Sequence, residues 1–337
     1  MAVEMLSRVH ARNLVAWAKD RPEVLVLSAD LTGSTEIDLF KETYPDRFVS
    51  MGLTEQNMMS MAGGLAREGF FPFVHTFGVF IYRRALDQVA MSIAYPNLPV
   101  RMFGFLPGIL TPGGATHQAI EDVAVMRALP NMTVLETGDA TDVESVLDVA
   151  QAVPGPVYVR ILRGEIPRLF PETAPMRLGE ARVLGRGSDL LLVTSGIATE
   201  EALRLTPVLA ERGLSVAHLH VSTLKPFADP VLVDAAAGAR LGVVTLENHT
   251  VVGGLGSAVC ELLAERGVGR RVVRLGLQDT FAHGASPRYL MREYGLDAMA
   301  LVAAVERLAG ASLGIAESDL VEARVTAVHS EAKAEAL

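Results

Sequence analysis

The sequence predicts an α/β fold in two domains, a parallel-sheet domain followed by a smaller α/β domain. Three observations predict it. Short runs rich in Val, Leu, Ile and Phe alternate with helical patterns along the 337 residues, the order that builds parallel sheets. A Pro-rich stretch, Gly164-Glu-Ile-Pro-Arg-Leu-Phe-Pro-Glu-Thr-Ala-Pro, interrupts this alternation near its middle. Hydrophobic residues make up 50% of the chain, yet no apolar run approaches the roughly 18 residues that cross a membrane. The excess is therefore read as buried sheets, buried helices and a large subunit interface.

In the first half, runs at 24–28, 48–50, 71–76, 100–105, 133–136 and 157–161 read as strands. Patterns at 6–19, 55–68, 80–95, 117–128 and 140–152 read as helices. The second half repeats the alternation, with strands at 190–194, 215–221, 242–246 and 271–275 and helices at 198–212, 230–237 and 253–266. Domains are expected at 1–165 and 181–310, joined by a linker at 166–180. The charge-rich stretch 311–337 reads as a peripheral helical tail or a frayed end.

Composition removes several classes. One cysteine excludes an internal disulfide framework and a multi-Cys zinc site, and Cys260 reads as a packed helical thiol. The eight histidines show no HxxxH or HExxH spacing; His218 and His220 share a strand face without a third ligand nearby. No metal site is read in the chain itself. A formal net charge of -9 argues against nucleic acid. The first residues carry no long apolar segment, so no secretory signal is read and a cytoplasmic protein without membrane contact is expected. Gly253-Gly-Leu-Gly reads as close helix–strand packing rather than a dinucleotide loop.

Ligands of parallel α/β sheets gather at the carboxyl ends of the strands. There the sequence places Asp30 and Ser34, Glu55, the aromatics Phe77, Phe80 and Tyr82, the Gly-rich loop leading to His117 and Gln118, and Arg163. Each has a plain structural account. Asp30 and Ser34 fit turn caps, the aromatics fit a core, and His117 and Gln118 fit a helix start. Glu55 opens an apolar helix rich in Gly, Ala and Met, where a buried carboxylate must find a partner. It reads as a helix-start acid favoured by the helix dipole, or as a functional carboxylate. Shared placement along one sheet edge favours a site over five unrelated coincidences.

The series Ser28-Ala-Asp-Leu-Thr, Met51-Gly-Leu-Thr-Glu-Gln, Phe77 to Gln88, Thr116-His-Gln and Leu162-Arg-Gly resembles the transketolase family. In the second half, Thr194-Ser-Gly, Leu246-Glu-Asn-His-Thr-Val-Val-Gly-Gly-Leu-Gly and Phe281-Ala-His-Gly resemble that family's C-terminal domain. The chain is thus similar to the C-terminal subunit of a split transketolase. It is also similar to 1-deoxyxylulose-5-phosphate synthase and to the E1 beta subunits of 2-oxoacid dehydrogenases. The resemblance implies a pyrimidine-binding domain at 1–165, the transketolase C-terminal domain at 181–310, and thiamine diphosphate, a cofactor that acts as a carbanion carrier.

By that resemblance Glu55 and His117 are catalytic. Glu55 engages the cofactor's aminopyrimidine, Phe77, Phe80 and Tyr82 pack on the ring, and Asp30 lies near the thiazolium. Arg8, Ser34, His117 and Arg163 bind the substrate, the two guanidiniums suiting a sugar phosphate. Two departures stand out. Gly113 replaces a family acid that contacts a donor hydroxyl, and Phe105 falls near a family histidine of the substrate channel, so specialised substrates are expected. The chain lacks a Gly-Asp-Gly diphosphate motif. A second polypeptide is therefore expected to hold Mg²⁺ and the diphosphate in an α2β2 assembly, without which this subunit is inactive.

The leading reading is transfer of a two-carbon ketol unit from a ketose or ketose phosphate to an aldehyde. Alternatives are the E1 beta subunit of a 2-oxoacid or acetoin dehydrogenase complex, a deoxyxylulose-phosphate-synthase-like carboligase, and a non-catalytic scaffold subunit.

Overall fold

A computed structural model describes residues 4–321. Among the described residues, seven strands form one sheet in the order Thr223–Lys225, Thr133–Glu136, Val157–Ile161, Arg101–Phe105, Phe71–Phe77, Val24–Ser28 and Phe48–Ser50. All neighbours run parallel except the first pair. Central strands are buried from end to end, which is why they read as continuous apolar runs rather than alternating ones. A five-stranded sheet follows in the order Val272–Leu277, Gly242–Thr250, Leu190–Thr194, Val216–His220 and Arg182–Gly185, the last strand antiparallel.

The strand assignments hold closely. The helices depart from expectation in three places, and each departure shapes the site. The stretch expected as a helix from residue 6 opens as a strand, Met5–Ser7, paired antiparallel with Glu165–Pro167. Helix Val9–Trp17 starts only after Arg8, which adopts a left-handed conformation at φ 53°. The start of the expected linker is therefore a strand that ties the domain's two ends together. The expected helix at 80–95 is broken into Gly78–Tyr82, Leu86–Gln88 and the π-helical turn Val89–Ala94, with Arg83 and Arg84 exposed at the break. The expected helix at 117–128 begins only at Asp122, because the Gly-rich residues before it form turns.

Strand Arg182–Gly185 and helices Asp38–Thr43 and Pro287–Glu293 were not anticipated, nor were two elements that bear on how the halves pack. Strand Thr223–Lys225 leaves the second alternation and pairs with Thr133–Glu136, so the first sheet contains chain from both halves. Helix Ala298–Ala309 packs against Ala198–Glu211 in the second core. Of the expected tail, Glu317–Asp319 forms a 3-10 turn, and residues 322–337 lie outside the described residues.

A buried polar network joins the two halves. The Arg160 guanidinium, 1% exposed, donates to Asp122 at 2.9 Å, to Glu136 at 2.5 Å, and to the carbonyls of Ala119 and Asn248. Tyr158 donates its hydroxyl to Asp122 at 2.6 Å. Nearby, Asp142 accepts from Arg182 and faces His220, whose other ring nitrogen meets Thr199 at 2.6 Å. At Gly253-Gly-Leu-Gly the start of helix Leu255–Glu265 is capped from inside: Glu247 accepts from the N–H groups of Leu255 and Gly256. Those glycines serve packing, as expected.

Candidate active site

The carboxyl edge of the first sheet carries the site. Ser28 stands beside His75 in register, so the chain leaves neighbouring strands toward Asp30 and toward Phe77 on the same edge. Asp30 is exposed and takes a left-handed conformation at φ 62°. One strand further out, Phe48–Ser50 runs into the turn that starts helix Glu55–Arg67.

Glu55 is 1% exposed, so its carboxylate is removed from water and needs a partner. The partner is Arg84, whose Nη1 lies 3.2 Å from Oε1 and 3.0 Å from Oε2. The same guanidinium lies over the Phe80 ring, 4.1 Å from its centroid. Phe80 in turn stands 5.8 Å from Phe77 and 5.5 Å edge-on from His117. Carboxylate, two aromatic rings and an imidazole thus share one small volume.

The His117 loop is held from below. Asn248 donates to the Pro107 carbonyl and accepts from the Ile109 N–H, both at 3.0 Å. Gly108, at φ 60°, lets this loop approach Asn248 so closely that a Cβ would collide with it. Gln118, fully buried, donates to the carbonyl of His283 at 3.2 Å and so leans the loop on the second domain. The Thr116 hydroxyl and His117 Nδ1 are 2.9 Å apart, leaving Nε2 free of that contact. A Cβ at Gly113 would lie 3.1 Å from the His117 side chain, so the missing side chain is what lets the imidazole settle there.

Arg8, Ser34 and Arg163, expected from the resemblance to bind substrate, lie near one another. The Met5–Ser7 and Glu165–Pro167 pairing delivers Arg8 to the Gly164 carbonyl, 2.9 Å from its N–H. Arg163 donates to the Ser34 carbonyl at 2.6 Å, with its guanidinium 5.8 Å from the Phe77 ring. Asp38 already pairs with Arg8. Glu36 is a buried acid missed in the sequence; it accepts from the Gly164 N–H at 2.7 Å, and burial raises its pKa despite the nearby guanidiniums.

Two expected placements fail. Tyr82 does not join the ring cluster; it is buried beneath Arg83, which pairs with Glu121. Phe105 does not line the site: it is 0% exposed and packs 5.6 Å from His10 and 6.1 Å from His75. Arg84 was missed altogether. Its only signal was the Arg83-Arg84 pair inside an otherwise apolar helical pattern, a poor place for two cations unless the helix breaks.

A buried carboxylate beside stacked aromatic faces suits a planar heterocycle with N–H donors, as an aminopyrimidine is. Among the described residues, no group of three or more His, Cys, Asp or Glu side chains is placed to hold a metal ion. Fold and candidate site together define a two-domain α/β protein with a buried carboxylate and a cluster of rings at one sheet edge.

Comparison with known proteins gives the family. Residues 5–168 match the transketolase pyrimidine-binding domain, and residues 179–301 match the transketolase C-terminal domain. A transketolase family protein of Sinorhizobium fredii is 40% identical over 88% of this chain and 86% of its own. The 6-deoxy-6-sulfo-D-fructose transketolase subunit of a Clostridium species is 38% identical over 88% of this chain and 91% of its own. A solved split-gene transketolase, described as an inactive beta4 tetramer, superposes with a TM-score of 0.82 at 38% identity, covering 89% of this chain and 97% of that one. Against 1-deoxy-D-xylulose-5-phosphate synthases, such as that of Symbiobacterium thermophilum at 35% identity, the chain spans about half of the relative's length (45%). The chain belongs to the transketolase family.

Proposed function

We propose that this chain is the C-terminal subunit of a two-component, thiamine diphosphate-dependent transketolase. It transfers a two-carbon ketol unit from a ketose or ketose phosphate to an aldehyde. The observation that carries this reading is Glu55, a buried carboxylate linked through the Arg84 guanidinium to the Phe80 ring, which stands beside Phe77 and His117. Bound thiamine diphosphate would supply a carbanion that attacks a carbonyl and then stores the resulting charge.

The chain's own residues do the rest. Glu55 would share a proton with a ring nitrogen of the aminopyrimidine, in a site sheltered from water. Phe77 and Phe80 fix the plane of that ring, and Asp30 lies at the same sheet edge as a counter-charge. His117, oriented by Thr116, presents Nε2 to a hydroxyl or carbonyl oxygen of the donor. Arg8, Ser34 and Arg163 receive the anionic end of the substrate. The sulfonated sugar in a relative's name supports an anion there and leaves its identity open to sulfonate as well as phosphate.

Mg²⁺ and the diphosphate belong to a partner subunit in an α2β2 enzyme of the cytoplasm. Exposed apolar residues on and beside the Glu55 helix support such a contact: Leu53, Met61, Met91 and Tyr95. The boundaries used for this reading are a pyrimidine-binding domain at 1–165 and a C-terminal domain at 181–310. The test is reconstitution of the subunit with its partner, Mg²⁺ and cofactor. Ketol transfer is expected in the mixture and in neither subunit alone, and Glu55→Gln is expected to lower it by about 10³-fold. Full activity in that variant removes Glu55 from the mechanism. The synthase relatives favour a carboligase as the second reading, in which case the pair consumes pyruvate rather than a ketose.

A further inference from the structure

We propose that Arg84 is a stand-in for the cofactor ring, holding Glu55 in its working position until the ring displaces it. This rests on the reading that Glu55 and Phe80 receive an aminopyrimidine. A guanidinium is a planar, delocalised cation with N–H donors in its own plane. Here it lies on the face of Phe80, 4.1 Å from the ring centroid, and reaches both carboxylate oxygens of Glu55 from there. Stacking on that ring and donating to that carboxylate are the two contacts the half-site offers to an aminopyrimidine.

The two partners differ sharply in their freedom. Glu55 is 1% exposed and fixed at the start of a thirteen-residue helix. Arg84 is 47% exposed and lies in the break between Gly78–Tyr82 and Leu86–Gln88. An arginine there can swing into solvent at the loss of its stack on Phe80 alone, whereas Glu55 is held in the helix. The pair therefore satisfies a buried charge in the free subunit and can be undone when another donor arrives. Arg84 is a positioning residue by this account. Its presence lowers the apparent affinity for the cofactor, since one ion pair must open before the other contact forms.

The test titrates thiamine diphosphate with Mg²⁺ into the reconstituted enzyme by calorimetry, comparing wild type with Arg84→Met. The variant is expected to bind about tenfold more tightly, or ~1.4 kcal/mol. Equal or weaker binding by a folded variant overturns the proposal and leaves the cofactor reading intact. Failure of the wild-type pair to bind at all overturns the cofactor reading itself. Should Arg84→Met not fold, Arg84→Lys keeps the charge without the planar stack, and tightening of about threefold is expected. In the isolated subunit, Arg84→Met is expected to lower the unfolding midpoint and Glu55→Gln to restore it in the double variant. Additive effects of the two substitutions would contradict the pairing.

Discussion

Two buried ionic regions of this molecule are built to opposite ends. At the junction of the two halves, Arg160 is itself buried, and its guanidinium is divided among two carboxylates and two carbonyls. Asp122 there also takes a hydroxyl from Tyr158. Every partner is on a strand or helix or fixed by one, so nothing in the cluster can leave without the others. At the sheet edge, Glu55 is as buried as Arg160, but among the described residues its one ionic partner is Arg84, which is half in solvent. A closed network holds domains together. A buried charge with one half-exposed partner is open to another donor.

The comparison can be broken from either side. The largest effect is expected at the junction. Arg160→Met leaves Asp122 and Glu136 buried without their cation, which costs about 3–5 kcal/mol. Denaturant unfolding should show that loss; a change below about 1 kcal/mol would mean the network is not what joins the halves.

A third buried region sharpens the contrast through pH. His10 and His75 face each other at 3.0 Å inside a column of aromatic rings. Burial holds the His75 pKa down to about 3, against an ordinary 6.5, and His10 is lowered as well, by burial and by His75. Both are neutral in the fold, so the unfolded chain takes up protons first as pH falls below the ordinary value. Their contribution is complete above pH 6.5 and declines toward pH 3, with about 2 kcal/mol lost from His75 alone between pH 7 and 5. The paired substitution His10→Phe with His75→Phe should flatten that part of the profile, which urea midpoints across this pH range would reveal. An unchanged acid slope would contradict the neutral pair.

At the site itself, smaller stability effects are expected. Glu55→Gln should change the stability of the isolated subunit by less than about 1 kcal/mol, because the lost ion pair has an exposed partner. A large loss would place Glu55 with Arg160 as a structural acid. The smallest effect belongs to Gly113→Ala, whose added Cβ nudges the His117 ring by a few tenths of an ångström. Turnover of the reconstituted enzyme should fall a few-fold with little change in the unfolding midpoint. No kinetic effect would mean that the ring position seen here is not the one used.

Much of this was legible in the sequence, for physical reasons. Strands buried on both faces give unbroken apolar runs, so most of their limits could be read within a residue or two. Glu55, Phe77, Phe80 and His117 could be gathered because a parallel sheet sends all its strand ends to one edge. What failed was continuity. Periodicity carried the helix at 80–95 through Arg83 and Arg84, and so hid both the break and the partner of Glu55. Met5–Ser7 could not be read as a strand because its partner, Glu165–Pro167, lies at the far end of the domain. Phe105 ends a strand like its neighbours, but the alternation of side chains turns its ring inward onto His10. Long-range pairing and side-chain direction decided those points, and neither is written in local pattern.

On the proposed function, Glu55 activates a cofactor that this chain holds by one end. The most direct measurement is the rate of deuterium exchange at the thiazolium C2 of thiamine diphosphate bound to the reconstituted enzyme, followed by NMR for wild type and Glu55→Gln. Fast exchange is expected in the wild-type pair, and a fall of about 10³-fold in the variant. Equal exchange rates in the two, with equal cofactor occupancy, would contradict it.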